Sequence, residues 1–276
     1  MRAPICERLD KATLVGQSLV GVQLNDCERL SRSTLESCDL QRSVLDGLLW
    51  DHSVFKNVNF SRASMRDFND RGNFYDHCQF RQTDLRGATV GFEGSQFIEC
   101  VFDRPRLTSI GFIRPRFVRC EFIGDLRDVD FQASEFVECN FVGRIEGGWF
   151  RNGYAFESLN GRFGTPKQNR MDRVDFRRAV LWGTSFSGNL DLSTILLPGD
   201  GEHHRFDRWS ERLRNLHERS LADVHLQSAV KKFVDIFEPS AARQMEWMIV
   251  YVPFVAYVVG DDVAAREIVG MLSKNP

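Results

Sequence analysis

Cysteine is the residue type in this chain best suited to chemistry, and four of the seven cysteines recur at one place in a repeated phrase. Cys78, Cys100, Cys120 and Cys139 each stand two residues before a phenylalanine, within Tyr75 to Phe80, Phe97 to Phe102, Phe117 to Phe122 and Phe136 to Phe141. Thiolates could bind a metal or form a redox pair. A tetrahedral metal site needs ligands converging from different directions. A residue that recurs once per repeat points the same way each time, and no C-x-x-C is present. The expectation is therefore an inward ladder of small apolar filler in the reduced form.

The other reactive types give less. His203-His204 is a solvated pair by context, and His217-Glu218 does not continue as H-E-x-x-H. No G-x-S-x-G, P-loop or dinucleotide fingerprint is present. The carboxylates are spread regularly among other polar residues, with no isolated, apolar-flanked pair of the kind tuned for acid–base work. Neither an enzyme nor a cofactor is expected.

The elements that would position these residues follow a five-residue beat. It runs Leu9, Leu14, Leu19, Leu24, slips by one, and continues through Leu30, Leu35, Leu40, Leu45, Trp50, Phe55, Phe60 and Met65. Asp70 breaks it. Tyr75, Phe80, Leu85 and Val90 resume it, and it is reset at Phe92 and again at Leu126 before reaching Phe141. The position two before each large residue is mostly small: Ala12, Ser33, Cys38, Ser43, Ala63, Ala88, Ser134. A period of five inside a period of about 20 suits neither a helix nor a flat strand. It fits a square coil with two inward side chains per side, only one of them large, whose turns bury their apolar sides against one another. Roughly nine turns at the usual strand spacing of ~4.8 Å would make a rod of ~40 Å.

These pentads resemble the pentapeptide-repeat family, whose motif is Ala-(Asp/Asn)-Leu/Phe-x-x. Asn59-Phe60, Asp84-Leu85, Asp130-Phe131, Asn140-Phe141, Asp175-Phe176 and Asp191-Leu192 carry its polar position, and the match covers most of residues 9–197. The resemblance implies a mainly β fold, a right-handed quadrilateral parallel β-helix. The repeat domain is placed at 1–197, with a loop interruption near 143–173. Beyond the breakers Leu197-Pro-Gly-Asp-Gly201 the period becomes helical, so 202–276 is read as an α-helical cap or dimerisation domain. Phe206, Trp209, Leu213 and Leu216 would share one helix. A second would end at Glu238-Pro239-Ser240. A third would carry Met245, Met248, Ile249 and Val252, and Asp261 or Asp262 would cap a last one.

Two regions are candidate sites. The interruption holds Trp149, Arg162, Lys167, Arg170 and Arg173, a cationic, aromatic loop of the kind that binds a partner. Trp247, Met248, Tyr251, Phe254 and Tyr257 would form a dimer or partner face, against the plainer reading of internal packing. The resemblance implies end-to-end homodimers through C-terminal elements.

Composition narrows the partners. Net charge is −2 and pI about 6.3, so direct nucleic-acid binding is not expected. The longest apolar run, Trp247–Val259, contains Pro253 and is too short to span a bilayer. The first residues lack an apolar signal core, so a cytoplasmic, reducing setting without disulfides is expected. The family's best-understood members protect DNA gyrase or topoisomerase IV by imitating DNA, which requires an acidic rod. Residues 1–195 instead hold 26 basic and 26 acidic side chains. The reading is a non-enzymatic protein–protein interaction scaffold, with a topoisomerase-protecting protein as the alternative.

Overall fold

The computed structural model describes residues 5–166, 169, 171–220, 224–242 and 245–274. Short parallel strands stack into a four-sided coil. The first face has seven strands, from Thr13–Val15 to Glu135–Val137, and the fourth has eight, from Arg29–Ser31 to Ser185–Ser187. The second and third faces are joined by single bridges in the early coils, such as Asp39 to Asn59 and Val44 to Ser64. Full strands appear there later, at Val101–Asp103, Glu121–Ile123, Asn140–Glu146 and Asp175–Trp182. The strand counts make seven to eight turns rather than nine. The difference arises because residues 154–166 leave the coil, and the chain after Ser187 adds no further rod strand among the described residues.

In-register pairing places like residues over like residues. Phe102 pairs with Phe122, and Phe122 with Phe141. Their rings stack 4.9 and 4.8 Å apart, each pair tilted by only 5°. Phe60 and Phe80 extend this column on one side, and Phe176 on the other. The first face has its own column, in which Tyr75 and Phe97 lie 4.5 Å apart, and the fourth has Phe112, Phe131, Phe150 and Phe186. Neighbouring columns meet edge to face, as Phe117 does with Phe122. Each such aromatic pair adds about 0.5–1.5 kcal/mol to its area burial. Cys78, Cys100, Cys120 and Cys139 are buried beside these columns, their Sγ–H groups directed at backbone carbonyls such as Phe55 O and Phe97 O. Burial pushes the Cys100 and Cys139 thiols well above the ordinary range.

Asp70 does not leave the beat. It occupies the fourth-face column between Trp50 and Val90, 2% exposed, and the coil closes around it.

The N-terminal end differs from the sequence expectation. Helix α1 (Ile5–Leu9) crosses the open first coil and inserts Leu9, and Cys6 forms a disulfide with Cys27. This departs from the expectation of no disulfide, which rests on a reducing compartment. Cys6 and Cys27 lie outside the ladder, and the return of α1 over the coil end brings them together.

The C-terminal unit also departs in part. His203–Phe206 and Met248–Tyr251 form an antiparallel two-stranded ribbon. Phe206, Met248 and Ile249 thus lie on strands, where helices were expected, because the ribbon covers the end of the rod. Between them run α3 (Trp209–Ser220) and α4 (Val224–Ala242), and Pro239 lies inside α4 rather than ending it. After α2 (Leu159–Phe163), discussed below, and these two, α5 (Val252–Val259) begins with Pro253 in its first turn. There the missing N–H costs nothing. Helix α6 (Asp262–Ser273) is capped by Asp261, whose side chain accepts from Ala264 N. A second core of Trp209, Leu213, Phe233, Val255 and Ile268 holds these helices together.

Candidate functional site

Strand Trp149–Arg151 completes the seventh coil with Phe150 inward, and among the described residues the excursion from the rod occupies 154–166. It does not project. It folds back along the outside of the fourth face as a strap. Ala155 N donates to Gln132 Oε1 at 3.1 Å, and the Tyr154 hydroxyl to Gly164 O at 3.0 Å. The Arg114 guanidinium donates to Phe163 O, and the Phe163 ring meets Phe92 edge-on at 5.3 Å. Phe92 and Ile113 are outward-facing apolar residues in a position that is polar on other coils, and the strap lies beside them. That is the signal by which sequence reasoning could have found the strap's path.

The strap's return is fixed from inside. Asn169 is fully buried. Its Oδ1 accepts from Met171 N at 3.0 Å and Phe136 N at 3.3 Å, and its own N–H donates to Asn152 Oδ1. What the strap offers to solvent is Phe156, 71% exposed, and Arg162, whose guanidinium lies 4.9 Å from the Phe163 ring centre. Phe156 and the pinning residues Phe92, Arg114 and Phe163 were not among the sequence candidates.

The sequence candidates sit on three different elements. Trp149 is on the fourth face with the Arg151 guanidinium over its ring at 4.1 Å. Arg162 is on the strap. Arg173 is at a corner of the coil, paired with Glu138 at 2.6 Å and Asp172 at 3.2 Å. Lys167 and Arg170 lie outside the described residues.

The five C-terminal candidates lie where the helical unit meets the rod. Trp247 packs on the rod's core beneath Arg205. Arg205 Nη1 donates to Leu192 O, Ser193 O and Ile195 O at 2.7–3.1 Å, so one guanidinium satisfies three carbonyls at the rod's open end. Met248 faces the helical core, Tyr251 stacks on His203 at 4.2 Å, and Phe254 and Tyr257 meet Trp182 at 5.7 and 5.6 Å. Tyr257 is 73% exposed despite that contact.

Four inward columns, one large residue every fifth position and one left-handed residue at each corner define the architecture. The fold is that of a pentapeptide-repeat β-helix. The chain is similar to several solved structures. QnrB1, a plasmid-mediated fluoroquinolone resistance protein, is 16% identical with a TM-score of 0.44, over 64% of this chain and 90% of that one. Rfr23, a pentapeptide-repeat protein of the cyanobacterium Cyanothece, is 12% identical with a TM-score of 0.31, over 40% and 82%. HetL, a pentapeptide-repeat protein of Nostoc involved in heterocyst differentiation regulation, is 14% identical with a TM-score of 0.22, over 70% and 90%. No protein-family model and no curated protein matches the chain.

Outside the strap, the β-helix pairs its charges between and along coils. Arg71 meets Glu93, Arg119 meets Glu99, Arg116 meets Glu135 and Arg151 meets Asp130. A cleft of about 220 Å³ lies between the last coils and the helical unit, lined by Trp149, Phe186, Ile236, Phe237, Met245 and Phe254 among others. Thr184, Ser185, Ser187 and Tyr251 are its hydroxyl-bearing lining residues. No helix among the described residues is long and apolar enough to cross a membrane.

Proposed function

We propose that the chain is a non-enzymatic scaffold for protein–protein contact, which receives its partner on the strap. The observation that carries this reading is the strap itself. It is held to the rod by Phe92, Arg114, Gln132 and Asn169, yet leaves Phe156 and Arg162 exposed. Phenylalanine and arginine are among the residue types enriched at protein interfaces. The interior supports the same reading, since stacked side chains fill it and leave no room for a substrate. Tyr257 and Val263, both exposed on the helical unit, are where self-association through the C-terminal helices would be sought.

The test is co-purification from the native host with wild type, Phe156→Ala and Arg162→Glu proteins of equal melting temperature. The expected result is a stoichiometric partner recovered with wild type and lost with both variants. Recovery of the same partner by all three would remove the strap reading.

The topoisomerase-protecting alternative needs a continuous acidic face. Glu93, Glu99, Glu135 and Glu138 each meet an arginine, which supports the scaffold reading over DNA imitation. The expectation is that the protein neither inhibits gyrase supercoiling nor rescues it from a quinolone.

A further inference from the structure

The rod's sides are not electrically alike. Where the second face turns into the third, Arg42, Arg62, Gln82 and Arg104 stand one above another on successive coils. Arg42 N donates to Ser61 O, Arg62 N to Arg81 O, and Gln82 N to Asp103 O, which fixes that register. All four adopt the left-handed backbone, with φ of 56°, 61°, 53° and 49°, and all four side chains are exposed. Arg81 flanks the row, and Arg66, Arg86 and Arg106 continue it on the third face, all exposed.

Segments 41–46, 61–66, 81–86 and 103–108 hold these seven arginines against three aspartates, with no lysine or glutamate. Asp46 engages Arg66, Asp84 engages Arg86, and Asp103 engages Arg104. Among the described residues, Arg42 and Arg62 have no carboxylate within ion-pair distance, and Arg62 Nε donates to the neutral Gln82 side chain at 3.2 Å. This excess stands out in a rod whose charges cancel as a whole.

We propose that this arginine corner binds an acidic peptide segment of the partner, laid along the rod axis. The proposal rests on the scaffold reading and names the chemistry of what the scaffold would hold. Coils are ~4.8 Å apart, and same-side residues of an extended chain ~6.8 Å apart, so alternate carboxylates stay within reach of successive guanidinium groups over four coils. Arginine's planar fork suits carboxylates and holds them by two parallel bonds. A nucleic acid fits less well. Its phosphates form a continuous chain, which Asp46, Asp84 and Asp103 in the same strip would repel. Carboxylates separated by neutral residues can avoid those three positions.

The test uses the full chain and a fluorescein-labelled peptide of repeated Glu-Ser units, read by anisotropy across a salt series. A short mixed-sequence DNA duplex serves as competitor. The expected result is peptide binding that weakens with salt. Arg42→Ser with Arg62→Ser should weaken it about tenfold, the order expected for two lost charge-assisted contacts. Arg116→Ser with Arg119→Ser, on another side of the rod, should leave it unchanged, and circular dichroism should show both variants folded. No binding, equal binding by the Arg42/Arg62 variant, or displacement of the peptide by less DNA than free peptide would overturn the proposal, the last result assigning the corner to nucleic acid. Any of these would leave the strap reading intact, because that reading is tested at Phe156 on a different face.

Discussion

Asp70 accepts a hydrogen bond from the Tyr75 hydroxyl at 2.9 Å, entirely inside the rod. Asn73 Nδ2 and Gly91 N also donate to it, at 2.6 and 2.7 Å, and the Ser95 side chain adds a further bond. Burial raises the Asp70 carboxyl above the ordinary range even though these bonds pull it down. A folded value above the unfolded one means that Asp70 contributes its full stability at acid pH and loses it as pH rises through the raised value. Asp70→Asn removes that titration. Its stability relative to wild type should therefore improve as pH is raised from the ordinary carboxylate range through the raised folded value, and level off above it, as read by chemical denaturation. A flat difference would show that folding leaves the Asp70 pKa unshifted. Asp70→Leu restores the apolar beat but strands these donors, and should cost about 2–4 kcal/mol.

The strap should come loose without the rod unfolding. Phe92→Ser removes the ring under Phe163, and Arg114→Ala removes the bond to the Phe163 carbonyl. Both side chains lie outside the coil, so the rod's melting should move little, by about 1 kcal/mol or less. Trypsin cleavage after Arg162 should accelerate severalfold in either variant. Unchanged cleavage would mean the strap is held by other contacts.

How much of this was legible in the sequence divides along the repeat. Phe102, Phe122 and Phe141 recur at fixed spacing, and stacking follows from spacing alone, so the columns were readable. The path of the strap was not. It depends on Phe163 meeting Phe92, 71 positions apart, a pairing no local period encodes. The aberrant polarity of Phe92 and Ile113 was the available clue. The ribbon of His203–Phe206 and Met248–Tyr251 was hidden for another reason. Its residues also fit an apolar helix face, and only the need to cover the last coil selects the strand. Cys6 and Cys27 show the limit of reading cysteine by compartment, since proximity in the fold decides a pairing.

The disulfide should stabilise one end of the rod more than the whole. Cys6 and Cys27 are 21 positions apart, and closing a loop of that size is worth about 3 kcal/mol in the chain-entropy account. Coils contact only their neighbours, so the loss is borne mainly by α1 and the first coil. Cys6→Ser, or reductant, should raise amide exchange at Leu14, Leu19 and Leu24 while leaving Phe117 and Phe122 protected. Uniform loss of protection would show that the rod melts as one unit.

His203 should make the junction between rod and helical unit weaken in acid. Its Nε2 accepts from Leu181 N at 3.3 Å, which places the proton on Nδ1, where it is donated to Asp200 Oδ2 at 2.9 Å. The ring is stacked on Tyr251, and Glu202 and His204 are its charged or titratable chain neighbours. Burial lowers its proton affinity more than Asp200 raises it, so the folded value lies below the ordinary 6.5. A depressed histidine contributes stability above its unfolded value and loses it as pH falls through the folded one. Protonation of Nε2 would also remove the acceptor for Leu181 N, in the strand beside Trp182. The expected outcome is that the ribbon and α5 loosen at a pH below 6.5 while the Phe102–Phe122 column stays ordered, seen as a low-pH change in Trp182 environment in a variant with the other tryptophans replaced. His203→Gln keeps an acceptor for Leu181 N but cannot titrate there, and should abolish the change. A transition that persists in His203→Gln would place the acid-sensitive group elsewhere, with Asp200 and Asp207, both held below the usual carboxylate range, as the next groups to replace.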